Sequence, residues 1–198
     1  TIEYLSDLAA EDSSKNLEVD IYPSGVLGAE PSTVEMVQAG VLDMAKVSAN
    51  TLGQFDERYS IFSLPYLFRD REHYYNAMAN SEGIQELFES TRDKGYIAIG
   101  YYANGARNYY LKEDKAVTDP SVLKGKKIRA MVSSTSMEMI ELMGGSPVPM
   151  ASSETYTSLQ QGIVDGAENT ELALTVDKHE EIVKSYTYTE HQYSPDIY

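Results

Sequence analysis

A few side chains carry groups suited to holding a small anion. Arg129 ends the run Lys127-Ile128-Arg129. A guanidinium is planar and permanently charged, and it grips a carboxylate through two parallel N–H···O bonds. The plainer alternative makes Arg129 a surface member of the basic run Lys124, Lys126 and Lys127. Alternation weakens that alternative, because Arg129 shares a face with Lys127 but lies between the apolar Ile128 and Ala130. Arg107 sits in Asn104-Gly105-Ala106-Arg107-Asn108, where Gly105 frees the backbone for a close approach. It either faces a ligand or pairs with one of the 31 acidic residues. Asn169 follows Asp165-Gly166. Its amide both donates and accepts, so it either orients a ligand or forms an Asx turn into the next helix.

The groupings that enzymes need are missing from the sequence. The three histidines, His73, His179 and His191, are scattered, and none forms His-x-x-x-His. There is no Gly-x-Ser-x-Gly and no Gly-x-Gly-x-x-Gly, and Lys124-Gly125-Lys126-Lys127 lacks the glycine spacing of a phosphate-binding loop. His179-Glu180-Glu181 has no second histidine at helical spacing and reads as a solvated helix face. Cysteine is absent, which excludes a thiol nucleophile and any disulfide and permits an oxidising compartment. No catalytic residue, cofactor or metal is expected. A net charge of −15 argues against nucleic acid and anionic membranes as partners. It leaves a small anionic ligand open, since a pocket obeys the few charges that line it. No stretch approaches the ~18 consecutive apolar residues of a membrane helix.

Strands alternate with helices along the 198 residues. Residues 1–10 read as the end of a helix and 17–22 as a strand with one covered face. Ser32 and Glu35 have capping-box spacing. Val34, Val37 and Val41 mark one face of the helix that follows, and Gly40 stops it. A strand is expected over 42–47. The apolar stretch 61–68, broken by Pro65, reads as a buried loop or edge segment. Further strands are expected over 96–102, 127–132 and 186–193. Thr135 with Glu138 forms a second capping box. Ser153 caps a helix that buries Tyr156, Leu159 and Ile163, and a long helix covers 172–184. This order implies parallel βαβ units and an α/β fold. One pattern occurs twice: Gln38-Ala39-Gly40-Val41-Leu42-Asp43 and Gln160-Gln161-Gly162-Ile163-Val164-Asp165. Each copy is a helix stopped by glycine, then a strand, then small polar residues. Two facing domains, or a common element recurring by chance, both account for it.

Several segments, in order, resemble the DctP-type solute-binding proteins of TRAP (tripartite, ATP-independent) transporters. They include Tyr22-Pro23-Ser24-Gly25-Val26-Leu27-Gly28, Leu64-Pro65-Tyr66-Leu67-Phe68, Asn104-Gly105-Ala106-Arg107 and Leu123-Lys124-Gly125-Lys126-Lys127-Ile128-Arg129. The stretches 38–43 and 144–150, the run 154–162, Val164-Asp165-Gly166-Ala167-Glu168-Asn169 and Thr189-Glu190-His191 complete the set. The resemblance covers nearly the whole chain. It implies an α/β fold of two periplasmic-binding-protein-like βαβ domains with a cleft between them. The first lobe is expected over 1–104 and the second over 105–198. Family members begin earlier and run on later, so the chain is expected to be truncated at both ends. The chain opens in mid-pattern at Thr1-Ile2-Glu3-Tyr4, as if a signal peptide had been removed.

The function implied is capture of a small organic carboxylate outside the cytoplasm, by domain closure, and its delivery to TRAP permease subunits in the membrane. The resemblance makes Arg129 the carboxylate anchor and Arg107 a second ligand-facing arginine. It assigns Asn169 to the carboxylate or a neighbouring group. It places Glu30 and Ser48 among the first-lobe contacts and His191 where some relatives contact ligand, although a lone histidine is more often structural. Ser48 and Ser152 are small where sialic-acid binders carry larger or charged groups, a departure that speaks against a sugar acid. The alternatives are an α/β enzyme acting on a small carboxylate and an extracytoplasmic sensor domain of the same fold.

Overall fold

The computed structural model describes residues 2–11 and 18–198. The chain runs through α1 (Ile2–Glu11), α2 (Glu30–Gln38), β1 (Val47–Ser48), α3 (Ala49–Leu52), α4 (Arg71–Asn80), α5 (Glu82–Glu89) and β2 (Tyr101–Tyr102). It continues through β3 (Ala106–Leu111), β4 (Lys127–Ala130), α6 (Ser134–Leu142), β5 (Ser146–Pro149) and α7 (Ser152–Gln161). The last elements are β6 (Gly166–Asn169), α8 (Glu171–Val176), β7 (Ser185–Tyr193) and β8 (Asp196–Ile197).

Two sheets organise these elements. The larger has the order β5-β4-β6-β3-β7. In it β4 runs parallel to β5 and β6, and β3 runs antiparallel to β6 and β7. Successive residues of a strand face opposite sides, and the two cores follow that rule. Tyr109 and Ile128 pack with Ile140 of α6 on one side. Tyr110 and Ala167 pack with Leu159 of α7 on the other. The smaller sheet has the order β1-β8-β2. Its core joins Val34, Tyr59, Phe62, Tyr74 and Ile197. The chain therefore crosses twice. It leaves the first lobe after β2 and returns with β7, whose last residue Tyr193 stacks on Tyr74 at 5.4 Å. The division expected at 104/105 thus omits a return: β8 sits between two strands of the first lobe.

The helix starts differ from the capping-box reading, and the reasons are local. Helix α2 begins at Glu30, because Pro31 presets its first turn, so Ser32 and Glu35 fall inside the helix. Helix α6 is capped by Ser133, whose hydroxyl accepts the Ser136 N–H, not by Thr135. Helix α7 starts beyond Ala151, whose N–H is taken by the Glu154 carboxylate at 3.0 Å, and Ser153 lies in its first turn. The glycine stops hold. Gly40 and Gly162 adopt φ of +69° and +72°, a conformation that glycine enters without steric cost.

Strand lengths differ more. Leu17 lies outside the described residues, and 18–22 pair with no strand among them. The strands expected at 42–47 and 96–102 shrink to β1 and β2, since β8 offers each only two residues of register. The long helix expected at 172–184 breaks at Lys178, which takes φ +57°. Val41 and Ile163, expected on buried faces, lie beyond the helix-ending glycines and are exposed.

Candidate functional site

Arg129 occupies the interior strand β4, hydrogen-bonded on both flanks opposite Val148 and Ala167. Its neighbours Ile128 and Ala130 belong to the Tyr109 core, so alternation turns Arg129 to the opposite face. The side chain is 3% exposed. Nη2 donates to the Met150 carbonyl at 2.9 Å, and the buried Nε has no partner. Among the described residues no carboxylate lies within ion-pair distance of it. Burial pushes its pKa down, Glu168 draws it up and the like charge of Arg107 pushes it down again, with a net lowering. An arginine so placed stays charged, and a buried charge without a counter-ion is costly.

Arg107 resolves its two readings toward an acidic partner. Its Nε donates to Glu168 Oε2 at 2.5 Å, and Nη2 donates to Oε1 at 3.0 Å and to the Glu168 carbonyl at 2.8 Å. Nη1 makes no hydrogen bond among the described residues. Glu168 is fully buried. Burial alone pushes its carboxyl up, but Arg107 and His191 outweigh that and hold it at about 2. His191 stands behind this pair and is buried, as a structural histidine would be. Its ring stacks on Tyr109 at 4.6 Å, Nδ1 bonds Thr189 Oγ1 at 2.8 Å, and the whole residue is 2% exposed. Its Nε2 lies 3.5 Å from Glu168 Oε2, an electrostatic contact but not an aligned hydrogen bond.

Asn169 is the last residue of β6, two residues beyond the partner of Arg129 and therefore on the same face. Its Oδ1 accepts the Thr170 N–H at 2.9 Å, one residue on rather than the two residues on of an Asx turn. Its Nδ2 has no acceptor among the described residues. Thr170 in turn caps α8. The first copy of the repeat ends in the same way, with Ser48 capping α3 through the Asn50 N–H.

Glu30 is engaged within the first lobe. Its Oε2 accepts the Ser48 N–H at 3.1 Å and the Thr51 hydroxyl at 2.7 Å, and Lys46 stands 3.7 Å from Oε1. The carboxylate braces the start of α3. Ser48 Oγ faces Ser194 Oγ at 3.5 Å and Met131 Sδ at 3.8 Å, across from the second lobe. Ser152 is an exposed first residue of α7. The residues that sequence reasoning missed are Glu168 and Asn50. Asn50 is 2% exposed and accepts from Ser194 Oγ at 2.8 Å and Gln192 Nε2 at 3.2 Å. Both residues lie in the tails of the repeat, next to Asn169 and Ser48, and that adjacency was the available signal.

Two concavities flank these residues. One of about 610 Å³ lies between α8 and β7, lined by Glu171, Leu172, Tyr186 and Tyr188. Tyr186 ties it to the site by donating to the Asn169 carbonyl at 3.3 Å. The other, about 370 Å³, is an apolar groove of the first lobe beside Val34 and Ile197. Arg129 lines neither. Among the described residues no cluster of acidic and histidine side chains is arranged for a metal, and no helix is long and apolar enough to cross a membrane.

A profile of the family described as bacterial extracellular solute-binding protein, family 7 (DctP), matches residues 1–198. The chain belongs to this family. It is 43% identical over 198 residues to the uncharacterized protein YiiZ of Salmonella typhimurium, covering 99% of this chain and 60% of that protein. A solved TRAP periplasmic solute-binding protein from Anaerococcus prevotii, with bound D-glucuronate, superposes with a TM-score of 0.94 at 37% identity. That match covers 99% of this chain and 63% of the other. One from Sulfitobacter sp. NAS-14.1, with bound β-D-galacturonate, gives 0.93 at 32% identity and covers 99% and 65%. The chain spans about three fifths of the length of these relatives.

Proposed function

We propose that the protein is the extracytoplasmic solute-binding subunit of a TRAP transporter and that it holds the carboxylate of a small sugar acid at Arg129. The observation that carries this reading is the buried, unpaired guanidinium: an anion from outside supplies the charge that the fold withholds. Asn169 Nδ2 and Arg107 Nη1 offer further donors at the same end of the second lobe. Ser48, braced by Glu30, meets the ligand from the first lobe. His191 acts through Glu168. The lobes, divided near residues 104 and 105 with 194–198 returning to the first, close over the ligand, which stabilises the closed state by the contacts it gains there. Delivery is to a membrane permease. No hydrolysis or transfer is assigned, since the matching family and the solved relatives are solute-binding proteins.

Uronates are the preferred ligand class, because two relatives at above 30% identity hold them. The contrary expectation from the small Ser48 and Ser152 gives way. The test is a thermal-shift series with D-glucuronate, D-galacturonate, lactate and succinate, with D-glucose as the uncharged control. A ligand at a hundred times its dissociation constant should stabilise by about 2.7 kcal/mol. The uronates should raise the melting temperature and glucose should not. Equal shifts by glucose, or turnover of any of the acids, would overturn the proposal.

A further inference from the structure

The three residues directly after β4 each bond to a different part of the first lobe. Met131 Sδ accepts from Asn50 Nδ2 at 3.4 Å and from Ser48 Oγ at 3.8 Å. The Val132 carbonyl accepts from Gln54 Nε2 at 2.8 Å. Ser133 Oγ donates to Ser63 Oγ at 3.3 Å. The strand that carries Arg129 therefore continues without a break into the contact between lobes. We propose that Met131 is a positioning residue that sets ligand affinity from outside the pocket by holding the lobes in their closed arrangement. The inference rests on the solute-binding reading above and deepens it.

The argument turns on Asn50. It is 2% exposed, and its Oδ1 is already engaged by Gln192 and Ser194. Its Nδ2 has the Met131 sulfur as its only acceptor among the described residues. Sulfur is a weak acceptor, but a buried amide donor with no acceptor is costly. That cost applies only while the lobes touch, because parting them lets water reach Asn50. Met131 thus acts on the closed form and leaves the open form alone. The half-buried thioether is also long and unbranched, which suits a contact that is made and broken.

Met131→Leu keeps the volume and removes the acceptor. Met131→Gln keeps the length and restores an acceptor oxygen. The chain has no cysteine, so Glu72→Cys with Glu138→Cys gives clean spin-label positions on exposed helix faces of the two lobes. Affinity for D-glucuronate is read by calorimetry, closure by the label-to-label distance, and the ligand-free fold by its melting temperature. Met131→Leu should weaken affinity about tenfold, the size of one orphaned donor. It should also thin the short-distance population and leave the ligand-free melting temperature in place. Met131→Gln should recover most of both losses. Unchanged affinity in Met131→Leu, a matching fall in ligand-free melting, or no recovery with glutamine overturns the proposal. If the unaltered protein fails to bind D-glucuronate, the ligand assignment fails separately. The ligand-free distance distributions then decide: lobes further apart in Met131→Leu and restored by glutamine support the contact, and identical distributions sink it.

Discussion

Arg107 and Arg129 enter the same sheet on the two strands that flank β6, and the fold treats them oppositely. Arg107 receives a buried carboxylate, bound at both oxygens, with His191 and Tyr109 packed behind it. Arg129 receives one backbone carbonyl and keeps a buried Nε unpaired. Both are almost fully enclosed. Burial alone therefore does not tell a structural cation from a binding one. The presence of an internal counter-ion does. Arg107 is paired within the fold, and Arg129, on the reading proposed above, takes its counter-ion from a bound anion.

The sharpest way to break this contrast is to remove the counter-ion. Glu168→Ala leaves Arg107 in the position Arg129 already holds, a buried guanidinium with a single backbone carbonyl as partner and no counter-ion. Loss of one member of a buried pair costs about 3–5 kcal/mol. For a chain of this size that lowers the melting temperature by roughly 10 °C. A fall of a degree or two would mean that Arg107 relaxes to water and that the pair is not structural.

How much of this contrast was legible in the sequence depends on range. Arg129 could be read because its evidence is local: the apolar Ile128 and Ala130 on either side mark a covered strand. The glycine stops at Gly40 and Gly162 are local for the same reason. The partner of Arg107 was not legible, because Glu168 lies 61 residues away and meets it only through the β3–β6 register. Strands β1 and β2 were overlong in expectation because β8, from the far end of the chain, decides how much of each is paired. The helix starts were misplaced by two or three residues because Pro31 and Ser133 compete with better-spaced capping boxes. The contacts of Glu30 were not legible either, because Ser48 and Thr51, which its carboxylate braces, lie 18 and 21 residues further along the chain.

Arg129→Ala probes the other side of the comparison. It should abolish the ligand-dependent stabilisation, about 2.7 kcal/mol at a hundredfold excess over the dissociation constant. The ligand-free protein should melt at the same temperature or higher, since an unpaired buried charge has been removed. The two variants should therefore move opposite readouts, Glu168→Ala the ligand-free melting and Arg129→Ala the ligand shift. If Arg129→Ala instead unfolds the protein while ligands still shift its melting, the roles of the two arginines are reversed.

Acid separates the two sites more gently. Arg129 does not titrate in any accessible range. Glu168 does, and its folded-state pKa of about 2 lies below the ordinary carboxyl value of 4.5. The ionised form is thus favoured by folding. Its contribution is complete above about 4.5 and drains away as pH falls toward 2. Asp56, held well below the usual carboxylate range by Arg58 and Lys94 against the pull of burial, contributes a slope of the same sign. The difference between proteins therefore isolates Glu168. Denaturant midpoints of the unaltered protein and of Glu168→Gln should converge as pH drops from 5 to 3 (the window set by those values). Arg129→Ala should run parallel to the unaltered protein throughout. Parallel curves for Glu168→Gln would mean that Glu168 titrates alike in the folded and unfolded protein, so that Arg107 does not hold its carboxylate and the distinction between the two arginines falls.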